Sequence, residues 1–138
     1  RERGQLGRRA AYLAERLAPT AMERPALTAA LDDDEGLLAQ AMLADLLASP
    51  AESVLVFFPD LLGMSEIYNE PGEVSDENWA LRVPQEYAAL YRARRRGRRA
   101  LSLPVACALA LRARGVAAGD EGRALLRDLE QASLRDPT

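Results

Sequence analysis

Six of the eight residues at 92–99 are arginine: Arg92, Arg94, Arg95, Arg96, Arg98 and Arg99. Guanidinium groups at that density suit RNA, another phosphate or an acidic protein partner. At a helix C-terminus they also complement the dipole and need no ligand. No aromatic residues interleave them to make a base-stacking surface, so the solvated helix end is the favoured reading. The segment 60–86 is of the opposite sign, with seven acids set among Asn69, Pro71, Gly72, Asn78 and Trp79. A carboxylate-rich loop is most simply a solvated surface, and Asn, Pro and Gly form turns for local reasons. Asp60 either caps the turn that follows it or faces a pocket. Trp79 is read first as a core residue.

Composition removes whole classes of chemistry. The 138 residues contain no His. Ser-His-Asp triads, Cys-His catalysis, HExxH zinc sites and imidazole ligation are therefore excluded. One cysteine, Cys107, allows neither an intrachain disulfide nor a four-cysteine zinc site. All 18 basic residues are Arg, which reflects a GC-rich coding bias and not a function. The net charge of −3 divides unevenly. Residues 1–91 carry 16 acids and 7 Arg, whereas 92–138 carry 5 acids and 11 Arg. A nucleic-acid-binding domain would be more basic overall, which argues against nucleic acid as the partner. The longest strongly apolar run, 103–111, is nine residues long, against about 20 for a membrane-spanning helix. No secretory signal precedes the first helical pattern, and a soluble cytoplasmic protein is expected.

Apolar residues make up 49% of the chain but aromatics only 5%, so Ala and Leu must fill the core. Leu6, Ala10, Leu13 and Leu17 recur at helical spacing and predict a helix over 6–18. A short helical turn over 22–31 enters at Pro25. Asp34 ends an acid run and caps a helix carrying Leu38, Met42 and Leu46, which stops at Ser49-Pro50. Segment 53–58, Ser-Val-Leu-Val-Phe-Phe, is short, apolar without alternation and closed by Pro59. It predicts a strand buried on both faces. Alone, such a strand leaves its backbone groups unsatisfied, so its neighbours are expected outside these residues; Arg1 is not a Met, which fits. Further helices are expected over 85–95, from Ser102-Leu103-Pro104 to Gly115 with Cys107 buried, and after a cap at Asp120.

Three motifs follow the strand in order: Asp60-Leu-Leu-Gly63, Asn69-Glu-Pro71-Gly72 and Asn78-Trp79-Ala-Leu-Arg82. Together they resemble the C-terminal part of the 4-α-glucanotransferases of the amylomaltase (disproportionating enzyme) family. That family carries Asp-x-x-Gly, Asn-x-Pro-Gly-Thr and Asn-Trp-x-x-Arg after its last barrel strand. The similarity is firm over 54–84, weaker over 85–115 and thin at both ends. Glu73 stands where the family has Thr, which puts the role of that hydroxyl in doubt but keeps the Pro-Gly turn.

The resemblance implies a chain that is mainly α with one buried strand, the C-terminal segment of an α/β (β/α)8 barrel with extra terminal helices. Residues 1–50 would be helices, 53–58 the last barrel strand, 59–84 a loop on the active-site face and 85–138 the terminal helices. Active sites of such barrels lie at the C-terminal ends of the strands. The implied activity is retaining transfer of α-1,4-glucan segments between maltooligosaccharides, without metal or organic cofactor. It implies substrate-side roles for Asn69, Pro71 and Gly72, supported by Asp60 and Trp79. An amide bonds sugar hydroxyls as donor and acceptor, and an indole stacks on a pyranose face. The family's nucleophilic Asp, acid/base Glu and His-Asp pair have no counterpart here, so no catalytic residue is assigned. The upstream remainder of the barrel is then the partner, and this chain alone is expected to be inactive. The alternative is a helical interaction module that binds RNA or an acidic partner through the Arg cluster.

Overall fold

The computed structural model describes residues 2–135. The described residues form seven α-helices and one 3-10 turn: α1 (Glu2–Leu17), α2 (Arg24–Asp33), α3 (Glu35–Ala48), α4 (Phe58–Leu62), α5 (Tyr87–Arg96), α6 (Leu103–Ala113), the turn Val116–Ala118 and α7 (Asp120–Leu134). They divide into two compact units. One holds α1–α3, α6, the 3-10 turn and α7; the other is Leu55–Leu101.

In the first unit α3 packs on α6, α1 on α2 and α3, and α7 on α6. The buried positions are mostly small: Ala10, Ala14, Ala41, Ala44, Ala106, Ala108 and Ala110, with Leu13, Leu17, Leu31, Leu38, Leu43 and Leu126. Small side chains at helix contacts let the axes approach closely, which is how so few aromatics suffice. Asp34 has extended backbone and its carboxylate accepts the Leu37 N–H at 3.0 Å, the expected cap of α3. The start of α6 is capped from a distance. Buried Gln40, in the middle of α3, accepts the Ser102 N–H at 2.7 Å. Ion pairs tie α1 to α3 (Arg16–Asp45) and α6 to α7 (Arg112–Glu130). The carboxylate of Asp45, by hydrogen bond and by charge, holds the Arg16 guanidinium above its ordinary pKa. Gly115 has φ +75, as its place after α6 requires. Two expectations shift here. Cys107 is half-buried, and Asp120 is the first residue of α7 rather than its cap, paired with Arg123.

The expected strand is absent. Among the described residues there is no strand, and 53–57 takes up no regular secondary structure. Leu55 is 79% exposed and Phe57 44%, so the segment is not buried on both faces. A strand exists by pairing, and no second extended segment in the described residues offers it a ladder. Local chemistry decides its end instead. Pro59 stands in the first turn of α4, where its fixed φ favours a helix. The expected fold class, an α chain with one buried strand taken from an α/β barrel, is thereby corrected to all-helical.

In the second unit α4 and the end of α5 lock together through backbone. Gly63 closes α4 in the left-handed conformation, φ +64. The carbonyls of Pro59 and Asp60 accept from Met64 (2.7 Å) and Gly63 (3.1 Å), and that of Leu61 from Leu101 N–H at 3.0 Å. A Cβ on Gly63 would collide with the Arg99 carbonyl oxygen. Because that neighbour is backbone, the strain cannot be relieved by a rotamer change. Gly63→Ala should therefore destabilise this unit by about 3 kcal/mol or more, read as a fall in the urea midpoint of fluorescence from the single Trp. Asp34→Ala should cost the other unit about 1 kcal/mol, read by far-UV circular dichroism.

Candidate functional site

The segment between α4 and α5 holds four of the five expected site positions in one small hydrogen-bonded loop. Pro71 and Gly72 occupy the centre of a turn from Glu70 to Glu73, closed by Glu73 N–H on Glu70 O at 3.3 Å. Gly72 has φ +91, which with Pro before it is the pattern of a type II turn. The turn is gripped from eight residues away. The Asn78 side-chain oxygen accepts Glu70 N–H at 2.8 Å, and its amide nitrogen donates to Glu73 O at 2.8 Å. Both partners are backbone groups of fixed character, so the orientation of this amide is determined.

Trp79 is the next link. Its N–H donates to Tyr68 O at 2.6 Å, while Arg82 Nη1 donates to the Trp79 carbonyl at 2.6 Å and to Leu81 O at 3.1 Å. The backbone at Trp79 is left-handed, φ +64. For a bulky residue that costs about 1–3 kcal/mol and persists only where the surroundings impose it. The ring is 63% exposed, which corrects the expectation of a core residue. It leans on Tyr68 (centroids 5.4 Å, tilted 53°), and Tyr68 stacks on Phe57 (5.1 Å, 21°).

The five expected positions are thus placed as follows. Pro71 and Gly72 are exposed at the turn. Asn69 is half-buried between Tyr68 and Glu70, whose backbone groups are both held. Trp79 projects beside them. Asp60 is exposed in the first turn of α4, where a carboxylate complements the helix dipole; the loop bonds described above do not involve it. Glu73 contributes backbone alone to the turn, so replacement of the family's Thr leaves these bonds intact. Asn78 and Arg82 belong to the third sequence motif, which by itself assigns them no role. Their signal was the motif spacing itself, which places an amide against the turn and a guanidinium against the Trp79 carbonyl.

The Arg cluster does lie at a helix end, since Arg94, Arg95 and Arg96 form the last turn of α5. It is not simply solvated. Half-buried Arg94 donates to Gly63 O and reaches Leu62 O at 3.5 Å, closing the carbonyl end of α4. Arg92, Arg95, Arg96 and Arg98 have partners as well.

No group of three or more Cys, Asp or Glu among the described residues is placed to hold a metal ion. None of the described helices is long and apolar enough to cross a membrane. Comparison with family models, curated proteins and solved structures finds no match to this chain.

The Arg94 contacts carry a consequence for stability. Arg94→Ala should lower the stability of 55–101 by about 1–2 kcal/mol. Arg94→Lys should recover part of that loss, because the single Nη1 makes both contacts and an ammonium keeps one charged donor on a long stem. Urea titration followed by Trp fluorescence checks both.

Proposed function

We propose that this chain supplies the substrate-side loop of a 4-α-glucanotransferase, which passes an α-1,4-glucan segment from one maltooligosaccharide to another. One observation supports the reading above the rest. The residues that resemble the family's Asn-x-Pro-Gly and Asn-Trp-x-x-Arg form a single clasped loop, in which the Trp79 N–H bonds the carbonyl of Tyr68, the residue before Asn69.

Retaining transfer uses two carboxylates about 5–5.5 Å apart and a covalent glycosyl-enzyme. A sugar hydroxyl, not water, must then take the glycosyl group. This loop serves that second requirement. The Asn69 amide bonds hydroxyls of the incoming sugar, the Pro71-Gly72 turn shapes the approach, and the Trp79 face excludes water from the stacked ring. Asp60, Glu66, Glu70 and Glu73 are assigned no catalytic role. The nucleophile and the acid/base belong to other parts of the enzyme, which are the partner of this chain, and the cytoplasm is the matching compartment.

The test is a titration of the isotopically labelled chain with maltoheptaose, followed by amide and indole N–H resonances. Shifts confined to residues 60–82, at millimolar affinity on the order of 4 kcal/mol, are expected, and maltotriose should not be disproportionated. Absence of shifts with maltoheptaose, together with salt-sensitive shifts at 92–99 on adding single-stranded RNA, would overturn the reading in favour of an Arg-based interaction module.

A further inference from the structure

An exposed Trp with left-handed backbone needs a reason, and this one is held there by three polar contacts. Tyr68 takes its N–H, Arg82 takes its carbonyl, and Asn78, the residue before it, is fixed by both edges of its amide to the Glu70–Glu73 turn. Tyr68 meets the ring, and Phe57 stacks on Tyr68 in turn. The backbone is fixed while much of the ring remains in water. That combination is costly for a residue whose task is packing and useful for one that must present a flat apolar face in a set orientation.

Charge narrows what that face can receive. Glu66, Glu70, Glu73, Asp76 and Glu77 are all exposed, and no Arg occurs between residues 60 and 81. A polyanion such as single-stranded nucleic acid would be repelled. A neutral, polyhydroxylated ligand meets no such penalty, and the carboxylates can accept its hydroxyl hydrogens.

We propose that Asn78 and Arg82 are positioning residues that hold Trp79, which meets Tyr68, as a stacking platform for a neutral sugar ring. The sugar assignment rests on the glucan reading above; the clamp rests on the hydrogen bonds alone.

Asn78→Asp separates the two. At neutral pH the carboxylate still accepts Glu70 N–H but cannot donate to Glu73 O. Once protonated, below about pH 4, it can donate again. Glu66, Glu70, Glu73, Asp76, Glu77 and Arg82 are the charged groups of the same loop, so the unsubstituted chain at each pH is the reference. At pH 7 the variant should lose the near-UV circular dichroism of Trp79 and bind maltoheptaose about tenfold more weakly. Both should recover towards the reference at acid pH. The far-UV signal of the helices should be unchanged throughout. Should the variant fail to fold, Arg82→Ala, which removes only the carbonyl cap, is expected to show the same two losses.

Near-UV signal and glucan affinity both equal to the reference at pH 7 would overturn the clamp while leaving the glucan reading standing. Loss of the near-UV signal in a chain that never binds maltoheptaose would uphold the clamp and overturn the glucan reading. Quenching of Trp79 by oligouridylate and not by maltoheptaose would overturn the sugar assignment.

Discussion

The carbonyl end of a five-residue helix is the constraint on which residues 55–101 depend. A helix leaves its last carbonyls without partners of its own, and α4 is so short that this group is most of the helix. Each carbonyl from Pro59 to Gly63 is nonetheless taken: by Met64 N–H, Gly63 N–H, Leu101 N–H and the Arg94 guanidinium. These bonds require the 94–101 backbone to lie directly against Gly63, and that approach leaves no room for a Cβ. Asp-x-x-Gly is thus a statement about backbone proximity. One member of the Arg cluster, Arg94 in the last turn of α5, is part of the same closure.

With the two ends of the intervening segment fixed in that way, the loop between them has little apolar surface to hold it. Its hydrogen bonds must do so. Asn78 is suited to the task because a carboxamide presents a donor and an acceptor in one plane, and the turn presents one free N–H and one free carbonyl at Glu70 and Glu73. Neither a carboxylate nor an ammonium satisfies both. The strained backbone at Trp79 is a consequence of that grip, bounded on one side by Tyr68 and on the other by Arg82.

Much of the helical framework was legible because the deciding signals are local. Asp34 before an apolar stripe, Pro50 after one and Gly115 at a left-handed position each act within a few residues of themselves. The strand expected over 53–58 does not form, because a strand is not a local object. Val54, Leu55, Val56 and Phe57 have the right composition, but a ladder needs a second extended segment, and composition cannot report its absence. The exposure of Trp79 is hidden from the sequence for a related reason: it accompanies bonds to Tyr68 and Arg82, which no hydropathy pattern encodes. Gln40 capping Ser102 from another helix was equally out of reach.

What the site can do follows from where its charges are used. Within 55–101 the guanidinium of Arg94 is turned onto backbone carbonyls and other arginines of the cluster have partners, so the most conspicuous positive feature of the sequence is in part structural. The acids of the loop face water around a fixed aromatic ring. Such a surface repels phosphate and acidic peptides alike, and carries no like-charge penalty for a neutral ligand. The charge and exposure of the loop fit the neutral ligand proposed above, whose identity as a glucan rests on the motif resemblance alone.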